Sequence, residues 1–304
     1  MTADAMDGPR SAFLPGGKRL HLQHGPIDLV IDASGPQAEV AAAYRQAVIR
    51  FRTILTELVG ELGRLRKPAG PEISEDDFRC PTARRMARAV RGHAGTFITP
   101  MAAVAGAVAD EMLAAMREGR GLTRANVNNG GDIALHLAPG RSYAAGLVSR
   151  LDHCRPDGKC VITYDMPVRG LATSGRHGRS FSLGIADAVT VLAETAAAAD
   201  AAATLIANAV TVDHPAIRRA AAETLDPDSD LGKLLVTTAV GPLDQDAVSA
   251  ALAGGVAAAT RMRDSGLICG AVLCLNEHYR VVGGDLPVAS PALARSTEGA
   301  VPQT

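Results

Sequence analysis

Apolar and polar residues change their period several times along the chain. From Lys18 to Ala33, KRLHLQHGPIDLVIDA alternates with a period of two around a Gly-Pro pair. That is the pattern of a β-hairpin with one buried face. From Pro36 to Lys67 apolar positions recur every three or four residues, which predicts a long amphipathic helix. KPAGPEISEDD (67–77) reads as a loop, PTARRMARAVRGH (81–93) as a short basic helix, and residues 97–119 as a helix with Pro100 in its first turn. NVNNGGDIALHLAPG (126–140) reads as a turn feeding a strand, KCVITYDMPV (159–168) as a strand, and GLATSGRHGRSFSLG (170–184) as a Gly/Ser-rich loop. AVTVLAE (188–194) predicts a strand that leads into the helix AETAAAADAAATLIANAV (193–210). HPAIRRAAAETL (214–225) reads as helical, 232–243 as a strand, 244–266 as a helix, and 267–284 as one or two closing strands.

Strands thus come in pairs and clusters rather than in strict alternation with helices. This favours an α+β layered architecture over a doubly wound parallel sheet. No repeat of fixed period and no linker interrupts the pattern. One compact unit over residues 1–290 is expected, followed by a disordered tail at 291–304.

Composition narrows the function classes. The chain has 304 residues, 47% of them hydrophobic, which is ample for a buried core. A net charge of −1 argues against a nucleic-acid or membrane-surface binder, whose affinity comes largely from basic charge. With 3% aromatic residues and no Trp, platforms for base stacking are not expected. Five cysteines do not form a disulfide framework in a chain of this length. His153, Cys154 and Cys160 in HCRPDGKC match no common zinc spacing. The chain start lacks an apolar signal region, and no run of about 20 apolar residues occurs. A soluble cytoplasmic protein is expected, and a homo-oligomer is compatible with the sequence.

Four stretches carry chemistry. NNGGDI (128–133) puts Gly130 and Gly131 beside Asn129 and Asp132 at the mouth of a strand, where a ligand can approach the main chain. The same dipeptides make ordinary turns. ATSG offers the hydroxyls of Thr173 and Ser174 and the Gly175 amide, groups that suit phosphate oxygens; a plain polar loop is the alternative. RHGR adds Arg176, His177 and Arg179, two cations beside that loop. The arginines at 84, 85, 88 and 91 form either a solvated face or a phosphate contact. Lastly, Asp200, Thr204 and Asn208 lie four residues apart on an otherwise apolar helix, so they share a face. Asp200 and Thr204 are hard oxygen ligands suited to half a Mg²⁺ shell. Otherwise Asp200 caps or solvates the helix, and the Thr204 hydroxyl bonds back to the preceding turn.

VNNGGDI, LATSG and ADAAAT occur in this order and together resemble the ApbE family of flavin transferases. AGAVAD, with Gly106 and Asp110, is similar to that family's K-G-x-x-x-D segment. The resemblance spans about residues 95–210. It implies a T-fold-like arrangement of layered sheets and packed helices, Mg²⁺ held by Asp200 and Thr204, and FAD or FMN as the flavin. Family members cleave FAD and attach FMN to a protein threonine. Two departures bear on that activity. Ala105 stands where the family has lysine, and the family's H-x-x-D-P-x-T-G loop between ATSG and the next strand is missing. The stretches around 97–110 and 178–210 look closer to a short cytoplasmic branch of the superfamily whose reaction is not assigned. The resemblance therefore implies a metal–phosphate pocket without protein flavinylation.

Three functions are weighed. The first is a Mg²⁺-dependent transferase or diphosphate-cleaving enzyme acting on a flavin or nucleotide-like small molecule, with His177 as general base. The second is a non-catalytic protein that binds a flavin or pterin-like ligand. The third is an assembly partner with a vestigial pocket, against which the intact Asp200/Thr204 pair speaks.

Overall fold

In a computed structural model, residues 8–93, 95–147, 158–283 and 288–289 are described. The expected tail at 291–304, and His153 and Cys154, lie outside the described residues.

The strands run β1 (Arg10–Phe13), β2 (Leu20–His24), β3 (Ile27–Ser34), β4 (Arg124–Asn129), β5 (Asp132–Leu137), β6 (Ser142–Leu147), β7 (Gly158–Thr163), β8 (Gly170–Ser174), β9 (Ala188–Ala193), β10 (Ile217–Ala221), β11 (Leu235–Val240), β12 (Gly270–Leu275), β13 (His278–Val282) and β14 (Val288–Ala289). The helices are α1 (Gln37–Leu65), α2 (Pro81–Arg91), α3 (Val104–Arg117), α4 (Ala196–Ala209), the short α5 (Ala222–Leu225) and α6 (Gln245–Asp264). The architecture is α+β, as the clustered strands imply.

Contacts divide the chain into two sets of residues. One comprises 1–141, 163–172 and 193–201; the other comprises 142–162, 173–192 and 202–304. In the first set, β1 to β5 are successive antiparallel neighbours, and Gly170 and Leu171 of β8 pair with β5. The period-two pattern of β2 and β3 is realised directly. Leu20, Leu22, Ile27, Leu29 and Ile31 point inward and are buried. α1 buries Tyr44, Ala47, Phe51, Ile54, Leu55 and Leu58, a stripe at three- and four-residue spacing. Burying each large aliphatic side chain is worth about 1.5–3 kcal/mol.

Three of the four arginines of the basic helix α2 have partners within the protein. Arg85 donates to Glu111 (3.0 Å), Arg88 to Glu75 (2.7 Å), and Arg84 to the Phe78 carbonyl (2.8 Å). Glu111, buried on α3, also takes Arg50 from α1 at 2.8 Å. A buried carboxylate needs such partners, and here they tie three helices together. Arg84, Arg88 and Arg91 stay exposed, and only Nε of Arg85 is used.

In the second set, β9, β12 and β13 are antiparallel neighbours, and every residue of β9 and β12 is buried. β14, β7 and β6 form a three-stranded sheet, and β10 pairs with β11.

Three local expectations change. HPAIRRAAAETL holds the strand β10, and only the single turn α5 is helical, because Ile217–Ala221 pair with β11 across a bulge at Arg218/Arg219. Tertiary pairing overrides the helix preference of Ala and Arg there. Residues 126–129 are strand rather than turn, since β4 precedes the glycines and pairs with both β3 and β5. The start of the 170–184 loop is likewise strand β8, which carries Thr173 and Ser174 at its end.

Candidate functional site

α4 is a continuous 14-residue helix buried on nearly every side. Its alanines allow neighbouring backbone to approach closely. Asp200, Thr204 and Asn208 are its partly accessible positions in the polar stripe, while 201–203 and 205–207 are buried. The stripe is therefore a narrow polar seam on a buried helix, not the wet side of a surface helix.

Each member of the seam has a different fate. Asn208 Oδ1 accepts the Leu183 N–H at 2.9 Å and the Ser182 hydroxyl at 3.4 Å, so it bonds to protein. Thr204 has no hydrogen-bond partner among the described residues, and its hydroxyl does not bond back to the preceding turn. Asp200 Oδ2 accepts the Gly106 N–H at 3.0 Å. Burial raises the pKa of Asp200 most; the N–H groups of Gly106 and Ala105 oppose the rise, and the nearby Asp110 carboxyl adds to it. The result is pushed up to about 7.

Asp110 supplies the reciprocal contact. From α3 its carboxylate accepts the N–H groups of Ala196 (3.1 Å) and Ala197 (2.9 Å) at the start of α4. Asp200 of α4 in turn caps the start of α3. Two helix N-termini thus exchange carboxylates, each meeting the other's unpaired donors and positive dipole end. Gly106 makes this exchange sterically feasible. A Cβ there would overlap the Ala196 carbonyl and stand 2.7 Å from the Ala197 nitrogen. Burial also raises the pKa of Asp110, against the two capping N–H groups and Arg85.

The Gly-Gly turn reaches the same helix start. Gly130 (φ 65°) and Gly131 (φ 117°) close the β4–β5 hairpin in conformations that side chains disfavour, and Gly131 N–H donates to Asn128 Oδ1 at 2.8 Å. Asn129 and Asp132 flank the turn and are both buried. Asn129 Nδ2 donates to the Ala105 carbonyl at 3.1 Å, one residue before Gly106. The turn, the start of α3 and Asp200 are therefore linked within one set of residues.

Among residues 173–192 a second cluster forms around Asp187, which sequence reasoning did not single out. Its carboxylate accepts Arg176 Nε (2.9 Å) and a terminal nitrogen (2.6 Å), and the Asn276 N–H at 2.6 Å. His177 Nε2 lies 3.4 Å from the same carboxylate. The Asp187 side chain is 9% exposed and the His177 side chain 44%. Arg176 is thus engaged by protein, and His177 has a carboxylate on one ring nitrogen. Thr173 Oγ1 lies 2.9 Å from Thr190 Oγ1, and the buried Gly175 packs against the Asp187 backbone. The available signal was an acidic residue standing directly before the wholly buried, mostly apolar run AVTVLA. Asp187→Ala would leave Arg176 without its counter-charge and the Asn276 amide without its acceptor. We expect a loss of about 3 kcal/mol in urea unfolding, the order seen when a buried pair loses one partner. A loss under 0.5 kcal/mol would contradict this reading.

A family model described as AbpE bacteria matches residues 11–283. The chain belongs to this family. Among its relatives, a UPF0280 protein of Methanothrix thermoacetophila is 33% identical over 70% of this chain and 85% of its own length. A UPF0280 protein of Methanopyrus kandleri is 42% identical over 40% of this chain, and that match spans 48% of the relative. Among solved structures, the apo flavinyl transferase ApbE of Pseudomonas stutzeri aligns over 96% of this chain and 97% of its own, at 12% identity and a TM-score of 0.38. No described helix is long and apolar enough to cross a membrane.

Proposed function

We propose that this member of the AbpE family binds a flavin dinucleotide together with Mg²⁺ and cleaves its diphosphate with water, giving FMN and AMP, without attaching FMN to protein. The observation that carries this reading is the seam of α4. A carboxylate with a raised pKa sits one turn from a threonine hydroxyl that has no hydrogen-bond partner among the described residues. Among the described residues no three His, Cys, Asp or Glu side chains gather into a metal cluster. A cation at Asp200 and Thr204 would therefore complete its shell with water and phosphate oxygens, as Mg²⁺ commonly does. The donors present are all oxygen, which fits that ion. Mg²⁺ bound there would neutralise charge on the diphosphate.

The chain's own groups have separate roles in this reading. Gly130, Gly131 and Asp132, with Asn129, present backbone and carboxylate to the ligand. Thr173, Ser174 and Gly175, with Arg179, contribute phosphate-binding donors. Arg176, held by Asp187, adds fixed positive charge there. His177 takes the proton of the attacking water, and Asp187 fixes its ring. Alanine at 105, in place of a lysine, and the missing H-x-x-D-P-x-T-G loop separate this chemistry from protein flavinylation.

The same two departures favour a second reading, in which the chain only binds a flavin or pterin-like ligand. Incubating the protein with FAD and Mg²⁺ separates the two. The proposal expects FMN and AMP in equal amounts, no covalent flavin on a threonine-bearing acceptor peptide, and loss of turnover in His177→Ala. Binding without turnover would establish the second reading instead. Fluorescent FMN retained on the peptide through a denaturing gel would overturn the exclusion of flavinylation.

A further inference from the structure

A separate cavity of about 640 Å³ lies within the first set of residues, at the end of β4–β5 remote from the Gly-Gly turn. That volume is ordinary for a small-molecule site. Four guanidinium groups line it: Arg85 from α2, Arg117 from the last turn of α3, Arg120 just beyond, and Arg169 before β8. Leu122, Leu135 and Leu137 give it an apolar wall, and Tyr164 stands at its edge, 39% exposed.

The arginines are not equivalent. Arg169 spends its terminal nitrogens on the carbonyls of Tyr164, Met166 and Val168 and lies over the Tyr164 ring at 5.8 Å. It therefore holds the wall. Arg85 uses Nε on Glu111, and its two terminal nitrogens carry no hydrogen bond among the described residues, while its charge acts on Asp110. Arg120 has only long contacts, at 3.5 Å, to Glu39 and the Glu118 carbonyl. The Arg117 side chain has no hydrogen bond or ion pair among the described residues and sits exposed at the helix end. Two carboxylates also line the cavity. Asp110 faces the N–H groups of Ala196 and Ala197, and Glu194 is exposed. His136 Nε2 lies 3.0 Å from the Leu122 carbonyl, and burial lowers its pKa, so the ring adds no cation at neutral pH.

We infer that this cavity is a binding site for a small organic anion, with a phosphate or carboxylate head on the Arg117–Arg85 side and a compact apolar body against Leu122, Leu135 and Leu137. Guanidinium forks match both heads in a bidentate manner. The apolar wall distinguishes such a ligand from a bare inorganic ion. The site uses none of the residues assigned to the flavin, so it stands or falls independently of that function.

The test is calorimetric titration at low salt with phenyl phosphate, benzoate, inorganic phosphate and phenol. Phenyl phosphate, benzoate or both should bind, and inorganic phosphate and phenol should each bind at least tenfold more weakly than the tighter of these. Which of the two heads binds more tightly identifies the source of the charge. Arg117→Gln should weaken that ligand at least tenfold, and so should Ala114→Glu, which puts a carboxylate on an exposed lining position. Arg52→Ala, an exposed position of α1 outside the cavity, should leave the affinity unchanged. Both cavity variants change exposed positions, so their melting temperatures should match the parent. Failure of both organic anions to bind would overturn the inference. So would equal affinity in parent and Arg117→Gln, or phosphate binding as tightly as its phenyl ester.

Discussion

Gly106→Ala is expected to destabilise the protein by about 1–3 kcal/mol, the range of overpacking in a core. In an exposed helix the same substitution stabilises by up to about 1 kcal/mol, because alanine is the better helix former. The sign reverses here because the added methyl would meet backbone, not a side chain that can turn away. It would overlap the Ala196 carbonyl and stand 2.7 Å from the Ala197 nitrogen. Relief requires α3 and α4 to separate at their N-termini. That separation would lengthen both exchanged caps, Asp200 to Gly106 and Asp110 to Ala196 and Ala197. Lost caps of this kind cost about 0.5–2 kcal/mol each. Urea unfolding measures the difference directly. A variant as stable as the parent, or more stable, would show that the two helix starts are not held in close contact.

The contrast between Gly106 and its neighbours shows what the chain reveals about itself. Period two in KRLHLQHGPIDLVIDA and period three-to-four in residues 36–67 are local, and both became the expected hairpin and helix. The stripe at 200, 204 and 208 was legible for the same reason, since helical spacing alone places the three residues on one face. The reciprocal caps were not legible. They depend on Asp110 lying next to Ala196, 86 residues away, and no pattern within either helix encodes that. Asp187 escaped for a related cause. Its partners Arg176 and Asn276 meet it only when the loop after β8 and the β12–β13 turn fold onto it. The strand β10 was hidden because Ile-Arg-Arg-Ala-Ala has helical propensity, and only pairing with β11 makes it extended. The glycines at 130 and 131 were visible as a turn, but the preceding strand was masked by its asparagines.

Asp200 also sets a pH dependence whose sign follows from its raised pKa. In the unfolded chain the group titrates near its ordinary value of 3.8, and in the folded protein near 7. Between these values the folded state holds the extra proton, so its stability falls as pH rises through this window. The contribution is fully present below about pH 4 and lost by about pH 7. A cation reverses the trend, because it binds the ionised form and displaces the proton. Mg²⁺ should therefore raise the melting temperature little at pH 5.5 and most at pH 8. At a concentration a hundred times its dissociation constant, linkage gives about 2.7 kcal/mol.

The most direct test is a thermal melt of the parent and of Asp200→Asn, each with and without Mg²⁺ at pH 8. Asparagine keeps the shape and the acceptor for the Gly106 N–H while removing the charge. The parent should melt several degrees higher with Mg²⁺, and higher again when FAD is added. Asp200→Asn should show no Mg²⁺ response, and Thr204→Val a reduced one at unchanged stability without metal. Equal Mg²⁺ responses in parent and Asp200→Asn would contradict the account, and Asp200 would then be only a partner of the α3 start.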